Sequence, residues 1–417
     1  MSEMQLSEEL QWRKLIKDKT FEDINWVNTS RTFYLGSDAS ADSLTIGNLA
    51  VYMLARQFIL HGWKAVLLVG GATSLIGDPG GKDSERELKT VEEIERNVAS
   101  VRAQVERLFV GQPFEMVNNY DWFKGIGYLE FLRDAGKYFS MTELVQRDFI
   151  ASRMGADNGG ISYAEFSYSL IQGYDYYWLF KNKGVELQIG ASDQWGNMLS
   201  GAPLIRKKEG KEAHAFCMPL VINKATGKKF GKSEEGAVWL DPKRTSPTQF
   251  YQFWINVEDD ELADFFGIYT LLSKEEVSDL LATHYKSPKE RTAQKVLARD
   301  ITRLVHGDEE TRIAEEVTAV LVGDINVADL DDQAVQAMRR EVASVRIAPD
   351  VSVLDVLVET KLATSRGEAR KLLVGNAVYV NNQVTVNEWL AASDFHNGCL
   401  LLRKGKVLKN TALVELE

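Results

Sequence analysis

Three groups of residues have the types and spacing to do chemistry. The first is the stretch Tyr34-Leu-Gly-Ser-Asp-Ala-Ser-Ala-Asp-Ser-Leu-Thr-Ile-Gly-Asn48. Arg31 to Leu35 reads as a buried strand, and Leu49 to His61 is apolar at helical spacing, so the stretch is a strand-to-helix turn. Backbone N–H groups at a helix start lack intrahelical partners and suit an anion above them. Gly36, Ser37, Asp38, Ser40 and Gly47 are small enough to let a nucleotide approach the backbone. Thr45 and Asn48 add neutral donors. The second group is Tyr168, Gln172 and Asp175, at i, i+4 and i+7 of the aromatic stretch Phe166–Trp178. A helix would line them on one face, and inside a core each would need a polar partner. A polar outer face is the alternative. The third is Lys224, Lys228, Lys229 and Lys232 in the polar, glycine-containing run Asn223 to Ser233. Four cations there suit a lid over phosphates, or simply a basic surface loop.

The elements that must position these groups begin with Ser7 to Lys17, a helix. Lys64 to Val69 is a second buried strand, so strand, helix, strand forms a βαβ unit, parallel and right-handed. Ligands in such sheets bind at the carboxyl ends of strands, which places Tyr34–Asp38 and Gly70–Asp78 on one rim. Gly70 to Lys82 reads as a long glycine-rich loop, and Thr90 to Leu108 as a charged amphipathic helix. Phe131 to Val145 is apolar-faced. Val185 to Ile189 is a strand whose Gly-Ala-Ser-Asp turn opens another helix, and Pro219 to Ile222 is a last short strand. The fold class is α/β, a Rossmann-like doubly wound parallel sheet. Neither G-x-G-x-x-G nor G-x-x-x-x-G-K-S/T occurs, which argues against a nicotinamide dehydrogenase or a P-loop enzyme. From residue 241 to 322 helical periodicity takes over, as in Ser273–His284 and Lys289–His306. Arg291, Lys295, Arg299 and Arg303 recur there every four residues, either an RNA-facing stripe or a solvated face laced with ion pairs. Residues 323–350 are acidic, with Asp329, Asp331 and Asp332 grouped, and read as a linker.

The net charge of −11 over 417 residues disfavours a general nucleic-acid binder but leaves room for local basic patches. Leu204 to Glu212 carries Arg206, Lys207, Lys208 and Lys211. Residues 361–417 hold eight lysines and arginines against five acids, a local reversal of sign. Cys217 and Cys399 are the only cysteines, which argues against a disulfide framework and a zinc site and fits a reducing cytoplasm. No apolar run reaches the ~18 residues of a membrane helix. Met1 to Lys19 is polar and charged, unlike a secretory signal. The expected location is cytoplasmic.

Two of the stretches carry a resemblance. Asp42-Ser-Leu-Thr-Ile-Gly-Asn48 resembles the H-I-G-H signature of class I aminoacyl-tRNA synthetases, and Lys229-Phe-Gly-Lys-Ser233 resembles their K-M-S-K-S signature. Their order and spacing match the family, and over nearly the whole chain the text is most similar to the bacterial tyrosyl-tRNA synthetases. The resemblance implies a tyrosine–tRNA ligase reaction. L-tyrosine is activated with ATP to tyrosyl-adenylate plus pyrophosphate, then passed to the 3′ end of tRNA(Tyr). It implies that Thr45, Asn48, Lys82, Arg86, Lys229, Lys232 and Ser233 act on the phosphates. Tyr34, Asp78, Tyr168, Gln172, Asp175, Gln188 and Gln194 would hold tyrosine, and Gly36, Asp38, Ser40, Gly47, Gly190, Asp193 and Lys232 would hold ATP. Magnesium is expected with ATP, without a dedicated protein site.

The implied organisation is a catalytic domain over 1–222 with an inserted dimerisation segment, a mobile loop over 223–240 and an α-helical anticodon-side domain over 241–322. The linker over 323–350 would lead to a small S4-like RNA-binding domain over 351–417. Ser365 to Leu373 and Gly375 to Asn382 carry the S4 likeness. A homodimer and no membrane association are expected. One departure from the pattern is that threonine and asparagine stand at 45 and 48 where histidines are usual. Thr-Ile-Gly-Asn is also a form familiar from tryptophanyl-tRNA synthetases, so an enzyme for tryptophan is the nearest alternative. A non-catalytic RNA-binding protein that has kept the fold is the alternative from another class. Tyr34 and Asp175, which can accept and donate around a phenol, favour tyrosine.

Overall fold

The computed structural model describes residues 4–79, 88–146, 150–151, 160–224, 227, 230, 232–233, 236–348, 350–405 and 410–417. The chain divides into two compact units, residues 1–244 with 258–293, and residues 245–257 with 294–417.

The first unit opens with helix α1 (Leu6–Trp12) and is built on a six-stranded sheet. Its strands are β1 (Asp18–Lys19), β2 (Thr32–Asp38), β3 (Lys64–Gly70), β4 (Phe114–Asn118), β5 (Leu187–Ala191) and β6 (His214–Met218), in the order β1-β6-β5-β2-β3-β4. All pairs are parallel except β1 with β6. The order runs one way from β2 through β3 to β4 and the other way through β5 to β6. The carboxyl ends of β2 and β5 therefore flank a topological switch point, where such sheets leave a crevice. Near-continuous apolar runs make these strands: Ala65 to Val69 of β3 are all buried.

Helix α2 (Ile46–Leu60) buries Ile46, Leu49, Met53, Leu54 and Phe58 against the sheet. Helix α3 (Gly71–Ile76) follows β3 directly, which corrects the expectation of an extended loop from Gly70. The glycines serve close approach here rather than irregularity. A Cβ on Gly70 would lie 2.2 Å from Thr73 Oγ1 and 2.4 Å from Asp38 Oδ1. Helix α4 (Val91–Leu108) starts at the Thr90 cap, which accepts from Glu93 N–H, with Glu92 and Glu93 favouring its positive end. The helix Tyr163–Lys183 opens on a capping box of Ser162 and Glu165 and ends at Gly184, with φ +65°.

The last parallel strand is β6, not Pro219–Ile222, because proline has no N–H to give the ladder. After β5 the chain makes a 3-10 turn, Ser192–Gln194, before the short helix Trp195–Met198. The segment after β4 forms short helices, Tyr128–Asp134 and Met141–Val145. Helices Leu262–Tyr269 and Lys274–His284 also belong to this unit.

The second unit holds a five-stranded sheet in the order Gln383–Val384, Val378–Val380, Cys399–Lys404, Thr411–Leu416, Ala343–Ile347. The last pair is parallel, so residues 343–347 form its edge. Residues 332–341 form a helix. The stretch 323–350 is thus a folded part of this unit and not a linker. Two of its aspartates serve helix starts: Asp331 caps residues 332–341, accepting from Ala334 N–H at 2.8 Å, and Asp329 accepts from Asn326 N–H at 3.0 Å. The basic stripe is also interrupted. Arg291 sits at φ +52°, the helix begins at Thr292, Arg299 pairs with Glu315 at 2.6 Å, and Arg303 lies 3.4 Å from Asp300.

Candidate active site

A cavity of about 370 Å³ opens at the switch point. Its walls come from the ends of β2 and β5, the start of α2 and the helix Tyr163–Lys183. Tyr34 and Gln188 are register partners on neighbouring strands, which sets them side by side in its floor.

At the closed end Asp175 is 2% exposed. Trp122 Nε1–H donates to its Oδ1 at 2.9 Å and Asn119 Nδ2–H to its Oδ2 at 3.1 Å. Trp122 is itself stacked on Trp178 at 4.2 Å between ring centroids. Burial pushes the Asp175 carboxyl up to about 8, against the pull of its two donors, while Asp38 adds to the rise. Tyr34 lines the same end at 1% exposure, and its hydroxyl has no hydrogen-bond partner among the described residues. Burial, then the Asp175 charge, raises its phenol well above the ordinary range. A buried hydroxyl without a partner is costly unless a ligand supplies one.

Further out stand two carboxylates. Asp78 accepts from Gln194 Nε2–H at 2.7 Å and from Asn197 Nδ2–H at 3.4 Å. Asp38 accepts from Thr73 Oγ1–H at 2.6 Å and from Tyr168 O–H at 2.7 Å. Burial and the charges of Asp38 and Asp78 raise the Tyr168 phenol well above its usual value, so all three groups share one neighbourhood. Gln172 and Gln188 complete this wall. A pair of carboxylates beside amides and a phenol suits a small cation such as an ammonium group.

The mouth is lined by Gly36, Ser40, Thr45, Gly47, Asn48, Gly190 and Asp193. Thr45 caps α2, and both its N–H and its hydroxyl donate to Asn48 Oδ1 at 2.9 Å. That leaves the Nδ2 hydrogens of Asn48 for another acceptor. Phe230 packs on Phe265 with centroids 4.4 Å apart and lines the mouth with Ala237. Lys232–Ser233 forms a short antiparallel pair with Gly236–Ala237. Lys82, Arg86 and Lys229, and the side chains of Lys232 and Ser233, lie outside the described residues.

The structure therefore brings Tyr34, Gly36, Asp38, Ser40, Thr45, Gly47, Asn48, Asp78, Tyr168, Gln172, Asp175, Gln188, Gly190, Asp193 and Gln194 to one cavity. Sequence reasoning missed Asn119, Trp122, Thr73 and Asn197. The signal for the first two was their place just beyond β4, on the same rim as the β2 and β3 ends. The basic cluster of Leu204–Glu212 is partly engaged in packing: Lys207 Nζ donates to Tyr138 O at 2.8 Å and Lys208 Nζ to Asp134 O at 2.7 Å.

A doubly wound sheet, a nucleotide-type turn at its switch point and a closed polar end for a small substrate define an enzyme that joins a small molecule to a nucleotide. The chain belongs to the class I tRNA synthetases of the tryptophan and tyrosine type (W and Y), whose family model matches residues 28–322. A second model, the tyrosine–tRNA ligase SYY-like C-terminal domain, matches residues 333–414. That match starts well before residue 351, in agreement with the folded 332–347 region. The chain is 42% identical to the tyrosine–tRNA ligase of Anaeromyxobacter dehalogenans, over 92% of this chain and 93% of that protein. It is 39% identical to the tyrosine–tRNA ligase of Lactobacillus johnsonii, over 97% and 98%. Among solved structures it is similar to a C-terminally truncated Aspergillus nidulans mitochondrial tyrosyl-tRNA synthetase. The TM-score is 0.68 at 28% identity, covering 75% of this chain and 92% of that one.

Proposed function

We propose that the chain's activity, the ATP-dependent joining of tyrosine to tRNA(Tyr), runs on this cavity with the following division of labour. The substrate phenol donates to Asp175 and accepts from the Tyr34 hydroxyl, which has no partner among the described residues. The α-ammonium meets Asp78, Tyr168 and Gln172, with Asp38 close by. Gln188 and Gln194 flank the amino-acid backbone. The ATP ribose meets Asp193, and Gly36, Ser40, Gly47 and Gly190 let the nucleotide approach the backbone. Thr45, Asn48, Lys82, Arg86, Lys229, Lys232 and Ser233 serve the phosphates. The tyrosine carboxylate attacks the α-phosphorus. A C–O–P bond forms, the bond to the β-phosphate oxygen breaks, and pyrophosphate leaves with the electron pair. The terminal ribose hydroxyl of the tRNA then takes the tyrosyl group and releases AMP. Positioning and charge stabilisation supply the catalysis, and no covalent enzyme intermediate is required.

ATP enters as its magnesium complex, with the ion carried on the phosphates as part of the substrate. Among the described residues no cluster of three ligating side chains offers the ion a site of its own. Tyr128, Leu129, Met141 and Tyr163 are 61–77% exposed, an apolar surface that supports a homodimer across the segment after β4. Among the described residues no helix is long and apolar enough to cross a membrane, and the cytoplasm is the proposed location. Residues 351–417, within the C-terminal domain, are proposed to contact the tRNA.

The observation that carries the reading is the Tyr34 hydroxyl, buried beside Asp175 and without a hydrogen-bond partner among the described residues. ATP–pyrophosphate exchange with tyrosine, tryptophan and phenylalanine tests it. Exchange is expected with tyrosine alone, and equal or faster exchange with tryptophan would overturn the assignment.

A further inference from the structure

Helix α4 lines no part of the cavity, yet it buries two amides that face the turn above it. Asn97 and Gln104 are 5% and 4% exposed and lie seven residues apart, on one face of the helix. Asn97 Nδ2–H donates to Ala39 O at 3.0 Å. Gln104 does more. Its Oε1 accepts from Leu44 N–H at 2.9 Å and from the Ser43 hydroxyl at 3.2 Å, and its Nε2–H donates to Asp42 O at 3.1 Å. One side chain thus fixes three consecutive residues immediately before Thr45.

The opposite side of the same three residues is bound by the chain that leaves the Lys232–Ala237 hairpin. Leu240 N–H donates to Leu44 O at 2.8 Å, Ile46 N–H to Val238 O at 3.1 Å, and Asp241 N–H to Ser43 Oγ at 3.1 Å. Thr45 and Trp239 form an antiparallel bridge, and Asp42 pairs with Arg244. Leu44 is therefore held by Gln104 through its N–H and by Leu240 through its carbonyl. The order in space is Gln104, the first signature's turn, then the exit of the second signature's loop.

We propose that Gln104 is a positioning residue for adenylate formation. It sets where the Thr45–Asn48 turn and the strand leaving the lysine-rich loop stand relative to each other, without touching either substrate. The proposal rests on the reading that both signatures meet the phosphates. Phosphate groups held by two separate stretches of chain must be aligned together, and small misplacements cost rate rather than ground-state binding. The amino-acid end lies on other elements, so tyrosine affinity is independent of Gln104.

The test uses the full chain. Gln104→Met keeps the length of the side chain and removes both its acceptor and its donor. Gln104→Glu keeps the acceptor for Leu44 N–H and the Ser43 hydroxyl and replaces the donor to Asp42 O and Ser100 Oγ with a carboxylate oxygen. Val101→Ala, on the same helix and 1% exposed, is a stability control whose side chain makes none of these bonds. Single-turnover adenylate formation, tyrosine Kd by equilibrium dialysis and Tm are measured for each. Gln104→Met is expected to slow adenylate formation on the order of tenfold or more with tyrosine Kd unchanged. Gln104→Glu should fall between it and the parent, and Val101→Ala should lower Tm and leave the rate alone. Should Gln104→Met not fold, Gln104→Glu carries the same comparison. A parental rate in Gln104→Met, a rate loss matched by Val101→Ala, or tyrosine Kd rising in step with the rate loss would overturn the proposal. A parent chain without tyrosine-dependent exchange would sink the underlying functional reading instead, which is a distinguishable result.

Discussion

The two units bury polar groups in opposite ways. The first takes acids and amides out of water around an empty volume: Asp78, Asp175, Gln188 and Asn197 are all under 10% exposed, and all but Asn197 line the cavity. The second buries mainly hydroxyls, such as Thr302, Thr311 and Thr360. Its buried acid Glu415 is held by Arg339 at 2.9 Å. Several of its other charges pair at the surface, with Arg312 between Glu309, Glu316 and Asp331, Arg370 on Glu388, and Lys404 on Glu368. Burying a polar group without a full set of partners costs stability, whereas exposed ion pairs contribute little either way. The contrast separates a unit that gathers buried acids and amides around a cavity from one that buries few acids and pairs many of its charges at the surface.

Removing residues 324–417 should give the largest effect. Aminoacylation is expected to be lost while tyrosine-dependent exchange persists in the folded fraction. The truncation also uncovers Ile313, Val317, Val320 and Leu321, which pack against Val327, Ala334, Met338 and Leu401. Exchange must therefore be normalised to folded protein. Loss of exchange from folded chains would erase the division between the units.

Asp175→Ala comes next. Loss of a buried, desolvated hydrogen-bonding carboxyl costs about 1–3 kcal/mol, so tyrosine-over-phenylalanine selectivity should fall by ~10–10²-fold. Undiminished selectivity in exchange assays would remove Asp175 from substrate recognition.

The third prediction concerns pH. The folded pKa of Asp175, about 8, lies above the ordinary carboxylate value. The folded chain therefore holds a proton that the unfolded chain releases above ~4. The contribution of this group to stability is full below that pH and declines as pH rises through about 8. Its neutral form has its own proton to place, while its charged form needs one more donor, which tyrosine has and phenylalanine lacks. Selectivity measured from the two Kd values should thus increase between pH 6.5 and 8.5, within the ~10-fold that one pKa unit allows. A flat or falling profile would contradict the titration.

Asn48→Ala should be the smallest effect. Its Oδ1 is already used by Thr45, so the change removes the free Nδ2 donors together with the cap. Adenylate formation should slow by ~0.5–1.5 kcal/mol with tyrosine Kd constant. Lowered Tm with an unchanged rate in the folded fraction would make Asn48 a purely structural cap.

Much of the first unit was legible in the sequence because its signals are local. Strands β2 and β3 and helix α2 follow from apolar runs and period, and the Tyr168, Gln172, Asp175 face from helical spacing. Asn119 and Trp122 were not legible, because the carboxylate they hold is more than fifty residues away and only the assembled rim joins them. Gly70-Gly71 misled because glycine marks both loops and close packing, and here Thr73 and Asp38 need the space. The aspartates of 329–332 misled because acidic residues mark both solvated connections and helix starts. In the second unit the charge count was correct, but the pairing of Arg366 with Asp355 and Arg370 with Glu388 could not be read from composition.

The central claim is that the buried Tyr34 hydroxyl serves the substrate phenol, and Tyr34→Phe tests it most directly. The Tyr34 hydroxyl has no partner among the described residues, so its removal should leave Tm unchanged or raise it. Tyrosine Kd, measured by equilibrium dialysis, should weaken by ~0.5–1.5 kcal/mol. Phenylalanine, which cannot use the hydroxyl, should bind as well as before or better. Equal weakening of both amino acids, or a loss of Tm with tyrosine binding unchanged, would contradict the account.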